Sequence, residues 1–277
     1  MKMHLRLVRN KRGQFIVIAA LLISVMIISA SAVMFSAVTY FSHERWEEYI
    51  IVIDGIRTGT ASVLQLSLAN YTQTLNNTVL KTNLDAWRQD VGRAYSGFGA
   101  ILSSTPVSGT YSAYGMNPLN YVNGLASTWN QQTSFSAANT TGSLNITSIG
   151  LEGYKFKASV FLKMQIADVI YYAGKGSDPN YLGVQVIVNA EGSEVITNLQ
   201  KSNFVLFQIG GANPTYTFLR YYESVSHSGV PALNTYVYEM RYEVASNPGP
   251  VTAKVSVVDA RGIKVTGQAI NLTPIDA

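Results

Sequence analysis

The chain has 277 residues, 47% of them apolar and only 13% charged, and it contains no cysteine. A disulfide framework, a thiolate metal site and a cysteine nucleophile are therefore excluded. Five of the 20 basic residues (Lys2, Arg6, Arg9, Lys11 and Arg12) open the chain, and the rest are offset by 16 acidic ones, which removes the electrostatic case for binding nucleic acid.

Directly after the basic cluster, Phe15 to Phe41 carries no charge. At about 1.5 Å per residue such a helix is long enough to cross a bilayer with some tilt. Basic residues stay cytoplasmic, and Glu44, Glu47 and Glu48 follow the run, so the expected topology is N-terminus in and C-terminal bulk outside. Three readings of this segment compete. A secretory signal would end at Ala30-Ser-Ala32 and release a mature chain starting at Val33, but the apolar run continues well past that site. A plain signal anchor accounts for length and charge. The third reading rests on Lys11-Arg-Gly-Gln14, a short basic stretch with a small residue before a polar one that begins the oily helix.

That motif resembles the class III, prepilin-type leader of archaeal type IV pilin-like proteins. The resemblance covers residues 1 to about 45. It implies cleavage between Gly13 and Gln14 by a prepilin peptidase, retention of the whole apolar helix, and packing of identical subunits through it. Many pilins carry Glu at the fifth mature position; Ile18 stands there in this chain. Lipid gives no hydrophobic reward for helix association, so bundling depends on small residues, and Ala19, Ala20, Ser24, Ser29, Ala30, Ser31 and Ala32 supply them.

Residues 46 to about 100 read as helix. Tyr49, Val52, Ile56, Val63 and Leu66 follow a spacing of three to four, and Leu80, Leu84, Trp87, Val91 and Tyr95 give a cleaner stripe opposite Lys81, Asp85, Arg88, Asp90 and Arg93. Gly55 and Gly59 weaken the first segment, and Asn70 to Thr78 predicts a break. From Ala94 to Leu151 no residue is charged. This Ser/Thr/Asn/Gly/Tyr-rich stretch, with Tyr111, Tyr114, Tyr121 and Trp129, is expected to lie against its own domain rather than float free. Asn-X-Ser/Thr sequons occur at Asn70, Asn76, Asn139, Asn145 and Asn271, all on the side expected outside, which makes glycan a candidate partner. Pro274 after the last of them hinders its modification.

After Gly150 the apolar period switches to two, in 154–165, 183–190, 203–209, 215–223, 235–244 and 252–271. The last segment reads as a hairpin turning at Asp259-Ala-Arg-Gly262. It resembles, weakly, the closing hairpin of many archaeal surface β-domains. The expected fold is α+β: a long N-terminal hydrophobic helix continuing into a helical stem, followed by an antiparallel immunoglobulin-like β-sandwich. The expected organisation is a basic cytoplasmic leader (1–13), a transmembrane and assembly helix (14–41), the stem with the uncharged segment (42–150), and the extracellular sandwich (151–277).

No constellation names a reaction. His4, His43 and His227 are too far apart in kind of environment to form one site. Glu191 and Glu194 flank a turn, and Glu239 and Glu243 share a strand face with little expected to bury them; solvated charges explain both pairs better than a glycosidase pair. Asp168, Asp178 and Asp259 lack the ligand repeat of a calcium loop. Gly92, Gly97 and Gly99 follow a helix, so they make no phosphate loop. No enzyme, metal or cofactor is implied. The expected function is a membrane-anchored, outward-facing structural or adhesion protein, a filament subunit or minor pilin. The alternative is a non-polymerising membrane-anchored surface domain that binds a protein or carbohydrate ligand. The partners expected are membrane lipid, identical subunits, a prepilin peptidase and glycan, with no nucleic acid.

Overall fold

The computed structural model describes residues 11–111, 118–191, 194–207, 218–223, 236–244, 248–273 and 275–276, with side chains described for these except 11–18, 38–46, 218–223, 271 and 275–276. The chain divides into two compact units, Met1–Gly55 and Ile56–Ala277.

Helix α1 spans Lys11–Thr74. From residue 19 to 37 the helix is exposed all round and predominantly apolar, with Leu21, Met26 and Phe35 among the exposed side chains. Ala19–Ala37 is long and apolar enough to cross a membrane or to serve as a signal anchor.

In the second unit α1 ends at Thr74 and helix α2 spans Val79–Ala94. The break is shorter than the sequence suggests. Leu75 adopts φ 57°, its N–H donates to the Tyr71 carbonyl at 2.7 Å, and the chain reverses by Thr78. Leu80, Leu84 and Val91 of α2 are buried, and the five predicted charged residues are exposed. On α1, Tyr49, Val52 and Ile56 are buried as the spacing predicts, but the stripe then runs through Thr60, Leu64 and Leu68 while Leu66 is exposed. Gly59 is less a weakness than a fitting: a Cβ there would overlap the Trp87 indole. The same approach lets Trp87 Nε1 donate to Thr60 Oγ1 (3.1 Å) and Asn83 Nδ2 donate to Ser67 Oγ (2.9 Å).

Among the described residues the β-structure begins at Ala100, well before the expected boundary at 151. The uncharged segment forms β1 (Ala100–Pro106), β2 (Gly109–Tyr111), β3 (Leu119–Tyr121), β4 (Leu125–Thr128) and β5 (Thr133–Ile146). After it come β6 (Leu151–Tyr172), β7 (Asn180–Asn189), β8 (Phe204–Phe207), β9 (Phe218–Glu223), β10 (Tyr236–Val244), β11 (Val251–Val258), β12 (Lys264–Leu272) and β13 (Ile275–Asp276). The expected turn is present, with Gly262 at φ 80° and its N–H on the Asp259 carbonyl at 3.0 Å.

One sheet runs β1-β5-β6-β7-β10-β9, with β4 beside β5 and β13 parallel to β6; a second runs β12-β11-β8. All other pairings in these two sheets are antiparallel. The arrangement is α+β and sandwich-like. Val160, Leu162, Met164, Val184, Val186, Tyr238 and Met240 of the large sheet share one core with Val255, Val257 and Val265 of the small one, and Leu64, Leu68, Leu80 and Leu84 of the helices join it. Gly267 on β12 brings the sheets together, since a Cβ there would press on Met164. From Ile56 onward the helices of the expected stem are thus part of the domain core. A smaller cluster of Leu119, Tyr121, Ala126, Phe135, Ala137 and Phe161 packs on the other face of the large sheet.

The predominance of Ser, Thr and Ala in β5 disguised a central strand. Its inward hydroxyls are absorbed one by one: Ser134 Oγ donates to the Gln131 carbonyl (2.8 Å), Ser136 Oγ to the Lys264 carbonyl (2.7 Å) and Thr140 Oγ1 to the Thr105 carbonyl (2.9 Å). Buried hydroxyls so paired cost little. Tyr121 and the partly buried Trp129 pack against their own domain as expected, Tyr111 is half exposed, and Tyr114 lies outside the described residues.

Candidate functional site

Gly13 and Gln14 occupy helical positions near the start of α1; their side chains, and that of Ile18, lie outside the described residues. What the described part offers is the apolar surface that follows. Leu21, Ile23, Met26, Ile28, Val33, Met34 and Phe35 are each more than half exposed. Water does not tolerate contiguous apolar surface on this scale, so it is an interaction surface. Ser24 removes its own polarity by donating Oγ to the Ala20 carbonyl at 2.9 Å.

The sequons differ sharply in accessibility. Asn70 is exposed near the end of α1, but Thr72 of the same sequon is buried, donating to the Ala69 carbonyl (3.0 Å) and accepting the Lys264 N–H (3.1 Å). Asn76, Asn77 and Thr78 are all exposed in the interhelical turn. There Asn76 Oδ1 accepts the Thr78 N–H at 3.0 Å and its hydroxyl at 2.8 Å, the local hydrogen bonding that Asn favours in turns. Asn139 and Asn145 are half-buried within β5, and Asn145 Oδ1 accepts the Gly153 N–H at 2.7 Å. Asn271 belongs to β12, with its side chain outside the described residues.

Two acidic positions differ from their sequence reading. Glu239 is completely buried, not solvated. Its carboxylate accepts from Tyr172 OH (2.9 Å) and Gln185 Nε2 (3.3 Å) and pairs with Arg241, whose guanidinium lies 3.9 Å from the Tyr172 ring centre. The pocket exists because Gly183 has no side chain; a Cβ there would crowd both Tyr172 and Glu239. Burial and then the negative charge of Glu239 raise the Tyr172 pKa. Burial opposes the Arg241 charge, but its hydrogen bond to Glu239 and that carboxylate's charge outweigh burial and raise its pKa. Glu243, two residues past Arg241, remains exposed.

Glu191 is paired as well. Arg261 Nη1 reaches Glu191 Oε1 at 2.5 Å and Arg261 Nε reaches Asp259 Oδ2 at 2.7 Å. Asp259 Oδ1 also accepts the N–H groups of Arg261 and Ile263, both at 3.0 Å, which holds the β11–β12 turn. The cluster serves β6 too: Glu191 Oε1 accepts the Phe161 N–H at 3.0 Å and Arg261 Nη2 donates to the Phe161 carbonyl at 3.3 Å. β7 leaves β6 after Lys163, so these side chains take over the ladder bonds of Phe161. In both clusters the acidic side chains pair with arginine and accept hydrogen bonds from neighbouring groups of the sheet.

Asp168 Oδ1 accepts the Val169 N–H at 2.8 Å, and no group of three or more His, Asp or Glu that could hold a metal gathers among the described residues. His4 and His227 lie outside the described residues, and His43 belongs to α1 with its side chain undescribed. Gly99 caps a 3-10 turn at φ 63° and makes no phosphate cradle.

An open recess of about 460 Å³ lies on the β1-β5-β6 face, lined by Ser103, Thr105, Thr141, Ser143, Lys155 and Lys157 with Gly142 and Phe156 between them. Sequence reading missed it, because only the register aligns these residues: Ser103 faces Ser143, which faces Lys155, and Thr105 faces Thr141, which faces Lys157.

The chain matches no family model, no curated protein and no solved structure.

Proposed function

We propose that the chain is a membrane-anchored, outward-facing structural or adhesion protein of the archaeal type IV pilin-like kind, processed between Gly13 and Gln14. The observation that carries this reading is the exposed apolar surface of Ala19–Ala37, preceded by five basic residues and no acidic one. Lipid covers that surface in an anchor; like helices cover it in a filament. Its alanines and serines favour close helix packing, so the filament subunit is the preferred form. The sheets of the second unit serve as the presented domain, and an immunoglobulin-like arrangement of them is part of the same proposal.

Two measurements test it. Protease added to intact cells should digest the second unit, and N-terminal sequencing of native protein should begin at Gln14. Protection of the second unit would refute the topology, a start at Val33 would make the oily run a disposable signal, and a start at Met1 would leave only an unprocessed anchor. Electron microscopy of the surface fraction then separates filaments from the non-polymerising surface domain.

A further inference from the structure

We infer that the open face of β1, β5 and β6 is a binding site for an acidic polysaccharide. The inference deepens the adhesive reading and rests on it only for the location of the ligand. Six residues form two parallel rows across three strands, Ser103–Ser143–Lys155 and Thr105–Thr141–Lys157. Adjacent positions on one strand face are about 7 Å apart, and neighbouring strands about 4.8 Å. The result is a flat tile of four hydroxyls ending in two ammonium groups, around a recess of about 460 Å³.

An acid opposite a lysine on the next strand would pair with it and neutralise it. Here the cross-strand neighbours are Thr141 and Ser143, and neither lysine meets an acid among the described residues. The reason is compositional: β1 and β5 come from the segment that carries no charge at all. Two uncompensated cations beside hydroxyls, of which Thr141 Oγ1 donates to the Thr105 carbonyl at 3.4 Å and still accepts, match a sugar chain bearing carboxylates. A nucleic acid fits less well, since the one ring lining the recess, Phe156, is buried and leaves little face for a base to stack on, and the chain past the oily helix is close to neutral.

The two sequons of β5 bear on the same face. Asn139 and Asn145 alternate in phase with Thr141 and Ser143, so a glycan on either would cover the tile. Their half-buried side chains, with the Asn145 amide engaged by Gly153, keep the face bare.

The test uses the full chain in detergent micelles with polygalacturonate as probe, neutral dextran as control, and phosphatidylglycerol vesicles as a third arm, with the chain reconstituted in nanodiscs. Polygalacturonate should bind, with affinity falling about tenfold or more between low and high salt. K155Q/K157Q should lose binding by a similar factor, S143E should lose it independently, and K81Q on α2 should leave it unchanged. All four positions are surface residues, and unchanged melting curves confirm folding. Equal binding of dextran, insensitivity to K155Q/K157Q, or binding of the vesicles but not of polygalacturonate would each overturn the proposal. Binding in micelles together with a protease-protected domain in cells would refute the outward topology alone.

Discussion

Tyr242 and Tyr172 show how burial becomes a pH dependence. Burial pushes the Tyr242 phenol well above its ordinary value of 10.0, and Tyr172 is raised by burial and by Glu239. A group whose folded pKa is raised contributes stability that is complete below the unfolded value. That contribution is lost as pH climbs toward the folded one, because only the unfolded chain can ionise cheaply. Stability should therefore hold from neutrality to about pH 10 and then fall steeply. Tyr242→Phe keeps the ring in the core and removes the hydroxyl, so its melting temperature should fall less between about pH 10 and 11 than that of the parent. Asn76 carries a second residue-level expectation. A transferase acting on folded protein needs both ends of the sequon accessible, a condition that Asn76 and Thr78 meet and that Asn70, with Thr72 buried, fails. Mass spectrometry of native protein should find glycan at Asn76 and none at Asn139 or Asn145, and Asn76→Gln should remove it.

Between elements, the pairing of α1 with α2 turns on the space left by Gly59. Glycine inside a helix costs roughly 1 kcal/mol against alanine in isolation. Here Gly59→Leu should destabilise the fold by about 1–3 kcal/mol, because the side chain must displace Trp87 and break its bond to Thr60. Chemical denaturation followed by tryptophan fluorescence measures it; an unchanged midpoint would show that the helices separate without cost. The helices also mark what the sequence allowed to be read. The α2 stripe was legible because charge and apolarity alternate at a 3.6-residue period, whereas on α1 the buried positions include Thr60 and Ser67, which periodicity of apolar residues passes over. β5 was illegible for a related reason: its alternation is largely between small residues of similar polarity, and its inward hydroxyls find partners in the preceding turn (Ser134) or on distant strands (Ser136 and Thr140).

For the whole molecule, the placement of β5 between β1 and β6 makes residues 151–277 an incomplete domain. A chain starting at Leu151 loses β1, β4 and β5 from the sheet and Leu64, Leu68, Leu80 and Leu84 from the core. It should give no cooperative melt by circular dichroism, whereas a chain starting near Ile56, where the second unit begins, should melt cooperatively. A cooperative melt from Leu151 onward would show that the helices and β5 are accessories.

The sequence by itself determined the apolar helix, the basic cluster before it, the α2 stripe, the later strands and the closing hairpin. These are features of local pattern: a run of uncharged residues, a helical period, an alternation, and Asp-Ala-Arg-Gly at a turn. Only the tertiary structure decided that the stem helices from Ile56 onward belong to the core, that Glu239 is buried against Arg241 and Tyr172, and that Glu191 and Arg261, held by Asp259, bond the backbone of Phe161 midway along β6. It also decided that two serines, two threonines and two lysines line up across three strands. Local pattern records what one segment can bury. Partners far along the chain decide which polar groups can be buried with it, and strand register, set by the whole sheet, decides which side chains share a face.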